Sequence, residues 1–310
     1  MSVTAPPAAV SATPADDAPS SPRARARLEP VYLAMLLPAV VLFTIFITFP
    51  AVVGMFYSFT NYAGYGTWDF IGLVNYRAIF SDPRILGAYT FTIGFSLVTV
   101  LLVNAIALAL AIALNAKIKL KAGLRSVFFL PMVISGIVIA YVFSYLFNTT
   151  IPLLAQSIGI EALSTSILAN ESLAWLGVVL VTTWQAVPGA MIIYLAGLLA
   201  IPDDIYEAAS VDGAGAWRQF RSITLPLMAG YVVINTILGF KGFLNAYDII
   251  VGLTNGGPGT STFSIAMTIF TGFTSGDYAY QMANAVLFFI ITVVLSLVQL
   301  QVIKRRGVTL

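Results

Sequence analysis

Apolar residues in this chain run in long blocks, and polar residues fall in short islands between them. A helix rises about 1.5 Å per residue, so a bilayer core of about 30 Å takes about 20 predominantly apolar residues to cross. Six blocks reach that length: 31–59, 88–115, 126–147, 173–199, 227–253 and 282–303. The pattern predicts an all-α membrane protein with six transmembrane helices. Pro38, Pro50, Pro131 and Pro188 fall inside the first, third and fourth blocks. Neighbouring helices can re-satisfy the carbonyl that each proline leaves free, and such kinks suit a bundle that flexes. Ahead of the first block, residues 1–27 are rich in Ala, Pro and Ser and carry little apolar bulk. That composition reads as a disordered tail, leaving 28–310 as one membrane domain. Arg23, Arg25 and Arg27 precede the first block, which outruns the apolar core of about 7–15 residues in a cleaved secretory signal. A retained signal anchor is expected.

Composition strengthens the membrane reading and removes whole classes of chemistry. The chain of 310 residues is 59% hydrophobic and 9% charged, whereas soluble domains are about 25% charged. It has no Cys and no His. Disulfides and thiolate chemistry are excluded, as are the commonest general base and the commonest metal ligand. No catalytic residue, metal site or cofactor is expected. A net charge of +2 gives no sign of nucleic acid. The position of the charges says more. Arg23, Arg25, Arg27, Lys117, Lys119, Lys121, Arg125, Arg218, Arg221, Lys304, Arg305 and Arg306 all fall on one side of the six-span topology. Only Arg77 and Arg84 fall on the other, and Lys241 lies within a span. Cytoplasmic loops carry the excess of Lys and Arg, so both termini and the island at 201–226 are expected in the cytoplasm. The loops at 60–87, 148–172 and 254–281 are then external. The first of these holds Tyr62, Tyr65, Trp68, Phe70, Tyr76 and Phe80, an interfacial aromatic belt or a surface for an external partner.

The island at 201–226 carries four acids and two arginines between two apolar blocks. Pro202 suits the first position of a helix, and Asp203 and Asp204 suit its N-terminus electrostatically. A short helix is predicted to about Val211, with a turn at Asp212 and Gly213. A second helix is predicted over 216–222, with Trp217, Phe220 and Ile223 along one stripe and Pro226 stopping it before the fifth span. Such a loop exceeds what a connection needs. A small-residue surface at Ala208 and Ala209, beside Glu207, would let another protein approach closely.

These residues carry a resemblance. Glu207, Ala208 and Ala209, then Asp212, Gly213 and Ala214, then Phe220, Ile223, Leu225 and Pro226 are similar to the EAA loop of permease subunits in bacterial ATP-binding-cassette importers. Gly230 stands where the family often has a further proline. Tyr247, Asp248 and Ile250, followed by Leu253, Thr254, Gly256, Gly257 and Pro258, resemble the F-D-x-I and L-T-x-G-G-P segment of the carbohydrate-importer group, with Tyr in place of Phe. Phe70, Gly72, Leu73, Asn75 and Tyr76 resemble its F-x-G-L-x-N-Y loop. The resemblance covers roughly 30–306 and implies a type I importer permease of the maltose and glycerol-phosphate group. It implies a six-helix bundle with a cytoplasmic coupling loop, in which Glu207, Ala208, Ala209, Asp212 and Gly213 contact the ATPase. The implied partners are a second homologous permease, an ATP-binding ATPase dimer, an extracytoplasmic sugar-binding protein, the sugar and membrane lipid. The chain has no phosphate-binding loop of its own, so ATP chemistry is expected on another chain.

Polar residues inside the spans are the candidates for the sugar path. They are Asn104, Trp184, Gln185, Tyr194, Asn235, Lys241, Asn245, Tyr247, Asp248 and Asn284. Lys241, Asn245 and Asp248 stand at i, i+4 and i+7, which on an unbroken helix is one face. A mid-membrane charge costs at least about 2.5 kcal/mol, so that face is expected to line the pathway or meet the partner permease. Helix–helix hydrogen bonding is the other reading of each polar residue. Three further functions remain on the residues alone: a permease for a phosphate ester or an amino acid, a freestanding facilitator, and a membrane phosphotransferase. Trp217 breaks the D-G-x-x-A-R pattern of the last, and the loop helices have no use in a facilitator.

Overall fold

The computed structural model describes residues 30–116 and 119–305. The tail at 1–27, Lys117 and Arg306 lie outside the described residues. Two compact units divide after Ala51. In the first, α1 (Pro30–Phe43) runs through Pro38 into a π-helical turn at Thr44–Thr48. Next comes α2 (Phe49–Tyr57), within which the division between the units falls.

That π turn ends just ahead of Pro50, and the same device recurs twice. A π turn at Leu146–Thr150 precedes Pro152, and one at Phe220–Thr224 precedes Pro226. Proline has no N–H for the carbonyl four residues back, and its ring crowds that carbonyl. In all three cases that carbonyl lies inside the π turn, whose wider bonding moves it aside. The helices therefore pass through these prolines. The sequence expectation that the second loop helix stops at 222 ahead of Pro226 is corrected on this ground.

In the second unit an extended loop follows α2 and pairs Thr60 with Phe70 as an isolated bridge. Next come α3 (Val74–Ser81) and α4 (Pro83–Asn115). Asp82 caps α4 by accepting from the Arg84 amide, and Pro83 takes its first turn. With 33 residues, α4 is about 50 Å long and outreaches a bilayer core. Beyond it, α5 (Lys121–Val133) ends at an extended pair, Ile134 and Ser135. The chain resumes as α6 (Gly136–Tyr145) and reaches α7 (Ile151–Ser157) through the π turn. The expected third span at 126–147 is thus corrected: the span-length helix is Gly136–Ser157. Pro131 weakens the last turn of α5 by withholding an amide, and Gly136 disfavours a continuous helix.

The central helix is α8 (Ala174–Leu199), packed against α4. After it come α9 (Asp203–Val211), α10 (Ala216–Gln219), α11 (Leu225–Leu227) and α12 (Ala229–Leu244). The segments Ala216–Leu227 and Ala229–Leu244 meet at 60°. The expected fifth span at 227–253 is also broken, because residues 245–247 leave the helix before α13 (Asp248–Thr254). The chain ends in α14 (Ile265–Thr274) and α15 (Tyr278–Arg305). Among the described residues five helices are long and apolar enough to cross a membrane, and a sixth is reached if the bent pair is one span.

Small residues let these helices approach closely. Ala107 and Ala111 of α4 are fully buried, as are Val178, Met191 and Tyr194 of α8. The Tyr231 ring lies over Gly197, and α13 lies on α6 at Gly252, where a Cβ would come within 2.6 Å of the Ala140 Cβ. Gly252→Val should therefore lower the thermal unfolding midpoint of the purified protein, at a cost of about 1–3 kcal/mol. Gly94→Ala, whose Cβ meets nothing within 4 Å, should leave the midpoint unchanged or slightly raised.

Candidate functional site

Two features combine polar chemistry with access: the helix pair between α8 and α12, and a pocket where two helix breaks meet. In the helix pair, Pro202 is the extended N-cap of α9, one position ahead of the sequence expectation, and Asp203 and Asp204 occupy the first turn. The far end closes through two backbone bonds. The Ala214 amide donates to the Ala209 carbonyl at 2.8 Å, and the Gly213 amide donates to the Ser210 carbonyl at 3.1 Å. This double closure requires a left-handed residue between them, and Gly213 supplies it at φ +77°.

Side chains brace the two helices into one body. Gln219 Nε2 donates to Ser210 Oγ and to the Ala214 carbonyl, both at 2.9 Å. The hydroxyls of Tyr206 and Thr224 bond at 2.9 Å. The outer surface is open: Glu207, Ala208, Asp212 and Gly213 are exposed, while Ala209 is half-buried. Val211 is 88% exposed and Trp217 72%, an apolar display that nothing among the described residues covers. The expected stripe is divided, since Phe220 and Ile223 are half-buried and only Trp217 stands out.

The second feature lies where the α5–α6 break meets the α12–α13 break. A pocket of about 470 Å³ is lined by Met132, Gly136, Thr182, Gln185, Phe243 and Asn245, together with Tyr247 and Asp248. Ligand sites fall in this size range. Each break is secured by a side chain. Gln185 Nε2 donates to the Ile134 carbonyl at 3.2 Å. Asn245 Nδ2 donates to the Lys241 carbonyl at 2.9 Å, and Ser264 Oγ donates to the Ala246 carbonyl at 3.2 Å. The Asp248 carboxylate sits in the first turn of α13, where a negative charge is favoured. Thr182 Oγ1 is buried without a hydrogen-bond partner. The pocket thus offers a hydroxyl, carboxamide oxygens, a carboxylate and aromatic faces to a polar solute.

The structure divides the sequence-expected pathway residues. Asn245, Tyr247 and Asp248 come together at the pocket. The single face expected for Lys241, Asn245 and Asp248 is corrected, because the helix ends at Leu244 and Asp248 belongs to the next one. Lys241 opens instead onto a groove of about 470 Å³ between α12 and α15, with Asn245, Thr292 and Ser296. Asn235 donates to the Ala190 carbonyl at 3.1 Å. Asn284 is buried, accepting from the Tyr89 hydroxyl at 3.0 Å and donating to Gln281 at 3.2 Å. Asn104 Oδ1 accepts from the Tyr194 hydroxyl. Thr182 was not legible as a site residue, since a hydroxyl inside an apolar block mostly bonds its own helix, and Ser264 was not because it falls in the expected external loop at 254–281. A larger groove of about 860 Å³ between α4, α5 and α8 is lined by apolar side chains such as Leu102, Ile106 and Val127, and brings together no comparable polar set.

Over residues 105–307 the sequence matches the family described as "Binding-protein-dependent transport system inner membrane component". It is 36% identical over 272 residues to the multiple sugar-binding transport system permease protein MsmF of Streptococcus mutans, covering 87% of this chain and 94% of the relative. It is 29% identical over 278 residues to the probable starch degradation products transport system permease protein AmyD of Thermoanaerobacterium thermosulfurigenes, covering 89% and 95%. A crystal structure of a bacterial alginate transporter, in complex with its pentasaccharide-bound periplasmic protein, contains a chain of the same fold. The TM-score is 0.79 at 22% identity, covering 90% of this chain and 96% of that one.

The geometry at Gly213 yields a direct test. Gly213→Ala forces a left-handed backbone on a residue with a Cβ, at about 1–2 kcal/mol. Hydrogen exchange over 203–219 should speed up several-fold, while Gly215→Ala, at φ −68°, should change it little.

Proposed function

We propose, from the premise that this chain belongs to the family of binding-protein-dependent transport system inner membrane components, that it is the membrane-spanning permease of an ATP-driven carbohydrate importer. It is a multi-pass inner-membrane protein. One observation carries the mechanism. The exposed, internally braced pair α9–α10 runs into α12 through a single 60° bend, and the far end of α12 is the break that lines the polar pocket. A push on the pair has a short helical path to the pocket.

The pair is the dock for the ATPase, with Glu207, Ala208, Ala209, Asp212 and Gly213 at the contact. Closure of the ATPase dimer moves α9 and α10, and α12 carries the motion to the break at 245–247. The pocket alternates between the two sides of the membrane as a two-state element biased by the ATPase. A second permease completes the path, and an extracytoplasmic binding protein delivers the solute. The excess of Lys and Arg on one side supports a cytoplasmic position for the pair and for both termini. Discontinuous helices around a polar pocket are a recurring way to build a transport site in a bilayer. The sugar permeases among the relatives support a carbohydrate solute, and so does the pocket itself. Asn245, Gln185 and Asp248 offer oxygen acceptors to hydroxyls, and the Tyr247 ring offers a flat apolar face.

Glu207→Lys reverses the charge at an exposed position with no ion pair among the described residues. The fold should tolerate it. In cells carrying the whole importer, sugar uptake should fall at least tenfold while the amount of protein in the membrane stays normal. Uptake at the normal rate would refute the docking role.

A further inference from the structure

Away from the central pocket, a second polar cavity of about 210 Å³ lies at the end of the bundle where α4 begins. Four segments meet there: the start of α4 with Asp82, the glycine-rich turn with Thr260 and Phe263, the C-terminal half of α14 with Thr271, and the start of α15 with Tyr280 and Gln281. The excess of Lys and Arg in the loops of the other side supports a position outside the cell for this end.

The cavity is built around groups with unspent hydrogen-bonding capacity. Gln281 is buried, with 4% of its surface exposed. Its Oε1 accepts from Asn284 Nδ2 at 3.2 Å, and Asn284 Oδ1 accepts from the Tyr89 hydroxyl. Gln281 Nε2 borders the cavity and donates to no acceptor among the described residues. Across Gly272 there is no room for anything else: a Cβ there would lie 2.3 Å from the Gln281 amide nitrogen. On the α4 side, the Asp82 carboxylate accepts from Arg84 at 3.4 Å and from the Tyr280 hydroxyl at 3.3 Å. Burial works against its charge, but the Arg84 amide and guanidinium outweigh that and hold the carboxyl below the usual carboxylate range. The cavity therefore holds a charged acceptor, a free amide donor, hydroxyls and the rings of Phe263 and Tyr280. That set suits a single ring bearing several hydroxyls, which offers donors, acceptors and an apolar face together, in a space smaller than the pockets that enclose whole drug-sized ligands.

We propose that this cavity is an outer holding site for one ring of the transported sugar, formed where the Asp82 carboxylate and the undonated Gln281 amide line one space. The inference rests on the carbohydrate reading above. It gives the glycine-rich turn a function, because the turn folds Phe263 over Gly256 and so supplies one wall. It also supplies a physical link to the central pocket. The Ser264 hydroxyl at the start of α14 bonds the Ala246 carbonyl in the α12–α13 break, and Phe263 and Thr268, on either side of Ser264 in the chain, line the outer cavity. A sugar held outside thus touches the same helix that braces the inner break.

The test is saturation-transfer NMR with D-glucose and maltose on the complete permease–ATPase assembly in lipid nanodiscs, without binding protein. Asn245→Ala removes part of the central pocket. In that background the sugar signal should persist, and adding Gln281→Leu or Ser275→Trp should reduce it at least threefold. Ser275 is an exposed rim position, so its variant decides the matter if Gln281→Leu fails to assemble. Loss of all signal with Asn245→Ala alone would overturn the outer site and leave the carbohydrate reading standing. A residual signal indifferent to both outer variants would overturn it equally. Absence of sugar signal in the unsubstituted assembly would overturn the outer site, while the carbohydrate reading is judged by uptake in cells carrying the whole importer.

Discussion

A carbonyl without a partner inside a bilayer costs several kcal/mol, and this bundle breaks two helices within its interior. Each break survives because a neighbouring side chain takes up the freed backbone group. Gln185 reaches from α8 to Ile134, Ser264 reaches from α14 to Ala246, and Asn245 folds back onto Lys241. The polar groups that make the breaks tolerable are also the groups that make the pocket polar. The breaks and the proposed transport site rest on the same few side chains.

That arrangement explains the division of labour along the chain. The unbroken helices α4 and α8 hold the fold, with alanines and a buried tyrosine at their contact. The broken ones are joined to the exposed pair α9–α10, which is stiffened by Gln219 and closed by Gly213. Stiffness matters here, because a soft loop would absorb a push that a braced one transmits. The π turn ahead of Pro226 keeps the helix continuous up to the bend at Met228, so the path from the loop to α12 has one corner.

Much of this was legible in the sequence, and the limits have physical causes. The apolar blocks located the helices, and the loop at 201–226 stood out because charge and glycine interrupt oil. Block length could not show where a helix breaks. At 134–135 and 245–247 the residues remain apolar enough to belong to a span, and the interruption depends on partners far away in sequence. Pro226 was a poor guide to the end of the second loop helix, since a π turn relieves it, as π turns also do at Pro50 and Pro152. Periodicity put Lys241, Asn245 and Asp248 on one face only on the assumption of a continuous helix. Asn235 and Asn284, chosen as path residues for their polarity, bond other helices instead.

The proposed mechanism requires motion to pass from the exposed helix pair to the pocket at the two breaks. The chain has no Cys, so spin labels can be placed at will on Met132→Cys and Gly242→Cys, either side of that pocket. Electron–electron distance measurements on the reconstituted importer should show the distribution shift by several ångströms between nucleotide-free and ATP-trapped states. The same labels with Glu207→Lys should show a single distribution in both states. A distribution that ignores ATP, or a shift that survives Glu207→Lys, would contradict the account.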